Sequence, residues 1–206
     1  MDIHVQHKGM TLVEVMVAIA IFTMAMSGFT FLFMDSLKVN SFTIEEGTTA
    51  MLTSRAVSNI ASDLRRVRQG DNGDFPIVSV SDFDLKVYVN ADTDDDTERV
   101  HYFLDGDLLR RGVSNPIVGT PVTYPAGDES VTTVATYVVN VSGEPLFSYY
   151  NKNYPGDTAN NPLSGTISVG DIRLIRIWIR MNIDPIKAPN NINIQSFAEL
   201  RNLNDY

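Results

Sequence analysis

The chain begins with a long uncharged apolar run and continues with an amphipathic pattern. The run Val15–Met34 has 20 residues, and as a helix it would span about 30 Å, enough to cross a bilayer. From residue 35 to residue 69 there is no proline, and apolar residues recur every three, four or seven positions, as on one face of a helix. These residues are Leu37, Ile44, Met51 or Leu52, Ala56, Ile60, Leu64 and Val67. The pattern predicts an N-terminal helix over residues 10–70 with a transmembrane segment at about residues 15–34.

Beyond residue 70 the period of the pattern changes to strict alternation, which is typical of half-buried strands. The clearest alternation covers residues 175–183, where four isoleucines and a methionine alternate with polar side chains and Trp178. Further strands are predicted at 83–89, 99–104, 108–111, 131–141, 146–150 and 192–203. One helix followed by strands predicts an α+β fold, with the helix packed on a mostly antiparallel sheet in a globular β-rich domain of residues 71–206.

Composition narrows the possible functions. The formal net charge is −9, and an acidic surface repels phosphate backbones, so nucleic-acid binding is disfavoured. Cysteine is absent, which excludes disulfides, thiolate chemistry and Cys-based metal sites. His101 is the only histidine beyond residue 9, and no nucleophile elbow, phosphate loop or metal-ligand cluster is recognisable. We therefore expect a structural subunit, without catalytic residues or a cofactor, and not an enzyme.

Glu14 stands at the head of the apolar run, where a charge is costly. On membrane-insertion scales, a charged side chain at the centre of a helix costs about 3 kcal/mol of free energy, and it costs less toward the interface. A plain membrane anchor accounts for the length of the run but gives Glu14 no role. A cleaved secretory signal ending near Ser27 leaves the apolar residues beyond that position unexplained.

The segment Gly9-Met10-Thr11-Leu12-Val13-Glu14, with the helix that follows it, resembles the processing site of type IV prepilins. The resemblance implies that residues 1–9 are a leader, that a prepilin peptidase cleaves between Gly9 and Met10, and that Met10 is N-methylated. Glu14 would guide assembly by neutralising the Met10 amine of a neighbouring subunit, or its own.

The same resemblance implies a location and a set of partners. The N-terminus would be cytoplasmic, the helix would cross the inner (cytoplasmic) membrane once, and the globular domain would be extracytoplasmic before entering a pilus or pseudopilus. Expected partners are other pilins or pseudopilins, bound through the N-terminal helix, together with the prepilin peptidase and the inner-membrane assembly platform.

Patches of the globular part are similar to the W-type minor pilin and to the J-type minor pseudopilin of type II secretion. These patches are Leu85–Val89, Glu98–Gly106, Leu108–Arg111, Leu146–Tyr150, Gly170–Arg173 and Glu199–Leu203. Phe31 stands where major pilins carry a proline, which also favours a minor subunit. The expected function is assembly into a type IV pilus or a type II secretion pseudopilus, in the tip or initiation complex. The alternatives are a DNA-uptake or adhesive pilin, and a lone single-pass membrane protein with a β-rich sensor domain.

An acidic segment carries the candidate metal ligands. Asp92, Asp94 and Asp96 alternate as the ligands of calcium loops do. However, Thr97 stands where an EF-hand requires glycine, and Phe103 stands where it requires its bidentate glutamate. The sequence therefore favours a solvated hairpin loop, with calcium binding as the alternative.

Overall fold

The computed structural model describes residues 9–92, 94–183 and 191–203. The chain divides into two compact units, residues 1–47 and 48–206. Of the leader predicted for residues 1–9, all but Gly9 lies outside the described residues.

One long helix, α1, runs from Leu12 to Arg65. It ends a few residues before the predicted stop because the chain joins a sheet there. Val67 forms an isolated antiparallel bridge with Val89, and the backbone amide of Arg68 donates to the carbonyl of Tyr88 at 3.0 Å.

The two units contain parts of α1 with different surroundings. In the first unit, α1 contains a stretch long and apolar enough to cross a membrane, and none of that stretch is buried. In the second unit, α1 buries a face that includes the predicted core positions Ala56, Ile60 and Leu64. The predicted positions Leu37, Ile44, Met51 and Leu52 are exposed in this single chain.

Eight strands form two sheets. The first sheet has the order β1 (Ile77–Val80), β2 (Asp84–Val89), β3 (Glu98–Asp105), β4 (Leu108–Ser114) and β5 (Ser130–Ala135), and the second has β6 (Phe147–Tyr150), β7 (Leu174–Met181) and β8 (Ile192–Glu199). Every pairing between these described strands is antiparallel. Residues of α1 and of both sheets share one hydrophobic core. The predicted α+β class is confirmed, whereas the division into two sheets was not predicted.

Three strands differ from their predictions. The strand predicted over residues 192–203 ends at Glu199, and Arg201–Leu203 form a 3₁₀ helix. The strand predicted over residues 131–141 ends at Ala135. Tyr137 has a φ of 59°, a left-handed conformation that does not continue a strand, and Val138 then makes an isolated bridge with Met181 of the second sheet. Strand β1 was not predicted, and its pairing with β2 is interrupted by an irregularity between Ile77 and Ser79.

A buried carboxylate ties α1 to the first sheet. Asp63 is 8% exposed, and its Oδ2 accepts hydrogen bonds from the Tyr102 hydroxyl at 2.6 Å and from Arg111 at 3.3 Å. Its Oδ1 accepts from Arg66 at 2.7 Å. A buried charge is tolerated when it is paired and hydrogen-bonded in this way, so these contacts fix the C-terminal end of α1, within the second unit, against β3 and β4.

Candidate assembly site at the start of the helix

The first turn of α1 is closed by reciprocal hydrogen bonds between Thr11 and Glu14. The Glu14 Oε2 atom accepts from the backbone amide of Thr11 at 2.9 Å and from its hydroxyl at 3.0 Å. The backbone amide of Glu14 in turn donates to the Thr11 hydroxyl at 3.3 Å. Thr11 is therefore the N-cap, and Glu14 is the third residue of the helix.

This arrangement is a capping box, in which a Thr-x-x-Glu sequence satisfies amides that have no partner inside the helix. It explains why α1 begins at Leu12. The role of Thr11 was missed in the sequence analysis, although the Thr-x-x-Glu spacing before an apolar run is its usual signal. Glu14 thus has a local structural function in addition to its predicted role in assembly.

The second carboxylate oxygen of Glu14 is available to another group. Within the described part of the chain, Glu14 Oε1 takes part in no hydrogen bond, and the side chain is exposed. Met10 and Gly9, the residues of the predicted cleavage junction, are also exposed and directly precede the cap. A carboxylate has about four acceptor positions, so Glu14 can hold the cap and accept from an amine at the same time.

The helix surface beyond Glu14 is suited to apolar surroundings. Large apolar side chains from Val15 to Met34 are exposed on all sides of the helix. Its hydroxyl groups are satisfied within the helix, since Thr23, Ser27 and Thr30 donate to backbone carbonyls three or four residues earlier, at 2.8–2.9 Å. Internal satisfaction of polar groups is what a membrane or a packed helix bundle requires. Glu14 is the charged side chain at the edge of this surface.

In the loop between β2 and β3, the carboxylates that lie together in the structure are not the three that alternate in the sequence. The structure brings Asp92 and Asp94 together with Glu98, and a carboxylate oxygen of each lies within 4.8 Å of the others. Asp96 does not share this cluster, although its backbone amide donates to Asp94 Oδ1 at 3.0 Å.

Comparison with known proteins identifies the N-terminal segment. Residues 6–30 match the model of the prokaryotic N-terminal methylation motif. The matched range includes Gly9, Met10 and Glu14, and it ends within the apolar part of α1. A search of curated proteins gives no significant match. The motif and the exposed apolar helix support a membrane-anchored, type IV pilin-like subunit of a pilus or pseudopilus, with a structural rather than an enzymatic role.

Proposed function

We propose that this protein is a minor subunit of a type IV pilus or of a type II secretion pseudopilus, acting in its tip or initiation complex. A prepilin peptidase cleaves between Gly9 and Met10, and Met10 becomes N-methylated. Before assembly, the protein is anchored in the inner membrane with its globular domain outside the cytoplasm. It then enters the filament through α1 and the assembly platform.

The observation that carries this proposal is the position of Glu14 within the matched motif. The carboxylate lies in the first turn of an exposed apolar helix, bound to the residue that follows Met10. In hydrocarbon or in a packed helical core an unpaired charge is heavily penalised, whereas a pair is tolerated. The Met10 amine created by cleavage supplies the opposite charge, either within the chain or from a neighbouring subunit.

In this mechanism the two oxygens of Glu14 have separate tasks. Oε2 accepts from Thr11 and keeps the first turn of the helix intact, and Oε1 accepts from a Met10 amine. The charge pair sets the register between neighbouring helices, while packing of the apolar surfaces supplies most of the cohesion.

The processing step is tested by mass spectrometry of the protein extracted from membranes. The proposal expects a mature chain that begins at Met10 and carries one added methyl group on its amine. A chain that retains residues 1–9, or that begins at any other residue, contradicts the proposal. Quantifying the subunit in sheared filaments tests the minor role, because a tip subunit is scarce relative to the main subunit.

The assembly step is tested with variants that separate the cap from the charge. Glu14→Gln retains a capping box, since glutamine also serves at this position, but removes the charge. Thr11→Ala keeps the charge and weakens the cap, which costs about 0.5–2 kcal/mol of helix stability. Crosslinking into filaments should fall strongly for Glu14→Gln and much less for Thr11→Ala, with membrane insertion unchanged in both. Normal incorporation of Glu14→Gln would show that Glu14 acts only as a cap.

A further inference from the structure

The loop between β2 and β3 folds three carboxylates toward one point. A carboxylate oxygen from each of Asp92, Asp94 and Glu98 lies within 4.8 Å of the other two. Calcium binds oxygen at about 2.3–2.6 Å, so oxygens that share one ion lie up to about 5 Å apart. The three side chains are therefore close enough to contact a single cation without rearrangement of the backbone.

Glu98 distinguishes this cluster from an ordinary acidic loop, because it is buried and incompletely satisfied. It is the first residue of β3 and only 2% exposed. Its Oε2 accepts from the backbone amide of Ala91 at 2.6 Å, but its Oε1 is shielded from solvent and has no hydrogen-bond partner among the described residues. A buried carboxylate oxygen without a partner is costly, and a bound cation would supply the missing contact.

The charges around the cluster are not balanced by nearby arginines. Two arginines reach the loop: Arg68 donates to the backbone carbonyls of Asp95 and Asp96 and to the hydroxyl of Thr97, and Arg66 donates to the backbone carbonyl of Asn90 at 3.2 Å. Among the described residues, no salt bridge joins an arginine or lysine to any of the three clustered carboxylates. In the part of the chain that the structure describes, these arginines thus hold the backbone of the loop in place and form no ion pair with the clustered carboxylates.

We propose that Asp92, Asp94 and Glu98 bind one calcium ion. The ligands are all oxygens, as hard cations prefer; calcium accepts carboxylates in a flexible geometry, whereas magnesium demands a near-ideal octahedron and keeps several waters. The ligand set differs from the alternating triplet in the sequence, because Glu98 takes the place of Asp96. The ion would fasten the acidic loop to the start of β3.

The proposal is tested by equilibrium dialysis of the full-length chain in detergent against radioactive calcium. Saturable binding of one ion is expected, with a Kd of about 0.1–1 mM, as in extracellular modules. Bound calcium should also slow hydrogen exchange of the amides in residues 90–98. If no saturable binding is seen at calcium concentrations well above about 1 mM, the proposal is overturned. If magnesium binds with the same Kd, the assignment to calcium is overturned.

The variants are matched in charge and location. Asp94→Asn and Glu98→Gln each remove one negative charge from the cluster, and each should raise the Kd by about tenfold or more. Asp96→Asn removes the same charge from the same loop but lies outside the cluster, and it should change the Kd by less than about threefold. Asp94 is exposed, so its variant remains informative if Glu98→Gln fails to fold. If the Kd rises equally in all three variants, calcium responds only to the total negative charge of the loop, and the proposed site is refuted.

Discussion

A side chain added at Gly112 should displace Asp128 from His101. His101 in β3 lies directly opposite Gly112 in β4. The His101 Nδ1 atom is 2.8 Å from Asp128 Oδ2, and its Nε2 atom is 2.6 Å from Asp84 Oδ2. A Cβ atom at position 112 would lie 2.1 Å from Asp128 Oδ2 and 2.3 Å from its Cγ. The Asp128 carboxylate therefore reaches His101 only because residue 112 has no side chain.

The expected magnitude follows from that overlap. To accept an alanine at position 112, the Asp128 carboxylate must retreat by about 1 Å, which breaks its 2.8 Å contact with His101. A hydrogen bond that involves a charged group contributes about 1.5–3 kcal/mol. Gly112→Ala should therefore lower the free energy of unfolding by about 2 kcal/mol, and Asp128→Ala should cost about the same.

A double-mutant cycle separates this cause from others. Gly112→Ala in the Asp128→Ala background should cost less than it does in the wild type, because the carboxylate is gone and the added Cβ atom then meets only the Cβ atom at position 128, 2.8 Å away. The assay is urea unfolding of the full-length chain in detergent, followed by the fluorescence of Trp178, the single tryptophan. Gly127→Ala is the control, since its Cβ would meet nothing within 4 Å. If the losses in unfolding free energy from the two substitutions are additive, the explanation through Asp128 is refuted, and the cost of Gly112→Ala comes from a change in the backbone of β4.

Two further predictions concern tyrosines, the buried Tyr102 and the half-buried Tyr124. Tyr102→Phe removes the 2.6 Å hydrogen bond to the carboxylate of Asp63, and it should lower the free energy of unfolding by about 1.5–3 kcal/mol in the same urea assay; a loss under about 0.5 kcal/mol would show that Arg111 compensates. Burial, first among its causes, raises the pKa of Tyr124 to about 12, and its hydroxyl donates to the Thr97 carbonyl at 2.6 Å. Because the pKa of Tyr124 is higher in the folded state, the stabilisation of the fold by its neutral hydroxyl should be complete below about pH 10 and lost as the pH rises through about 12. The measurement is a tyrosinate absorbance titration, in which a late ionisation step should be present in the wild type and absent in Tyr124→Phe. A wild-type titration without that step would contradict the prediction.

The parts of the fold that were predicted correctly depend on local patterns. The alternation in β7 is a property of a short segment, so it can be recognised without knowledge of the tertiary structure. The end of α1 was misplaced because the bridge between Val67 and Val89 competes with another helical turn. That bridge joins residues distant in sequence, and no local pattern indicates it.

The same distinction applies to the candidate functional residues. Glu14 was predicted because a charge beside an apolar run is conspicuous and costly. The role of Thr11 was also accessible, since it depends on a spacing of three residues. The proposed role of Glu98 as a calcium ligand could not be predicted from the sequence, because Glu98 is the first residue of β3 and looks like an ordinary strand residue. Only the folded loop brings it next to Asp92 and Asp94, and only the structure shows that it is buried.

Processing as proposed would change the charge at the start of α1, and this change accounts for a charged residue at position 14. Before cleavage, the first turn holds the Glu14 carboxylate against the partial positive charge of the helix N-terminus, about half an elementary charge. Cleavage after Gly9 would add a full positive charge on Met10, adjacent to the N-cap Thr11. The cap alone does not require a charge, because glutamine would also close the capping box. The amine does require one, since an unpaired charge in apolar surroundings costs several kcal/mol. The bonds to Thr11 therefore hold the carboxylate beside the position where the amine would form, so that Glu14 caps the helix and, after processing as proposed, would also complete a charge pair.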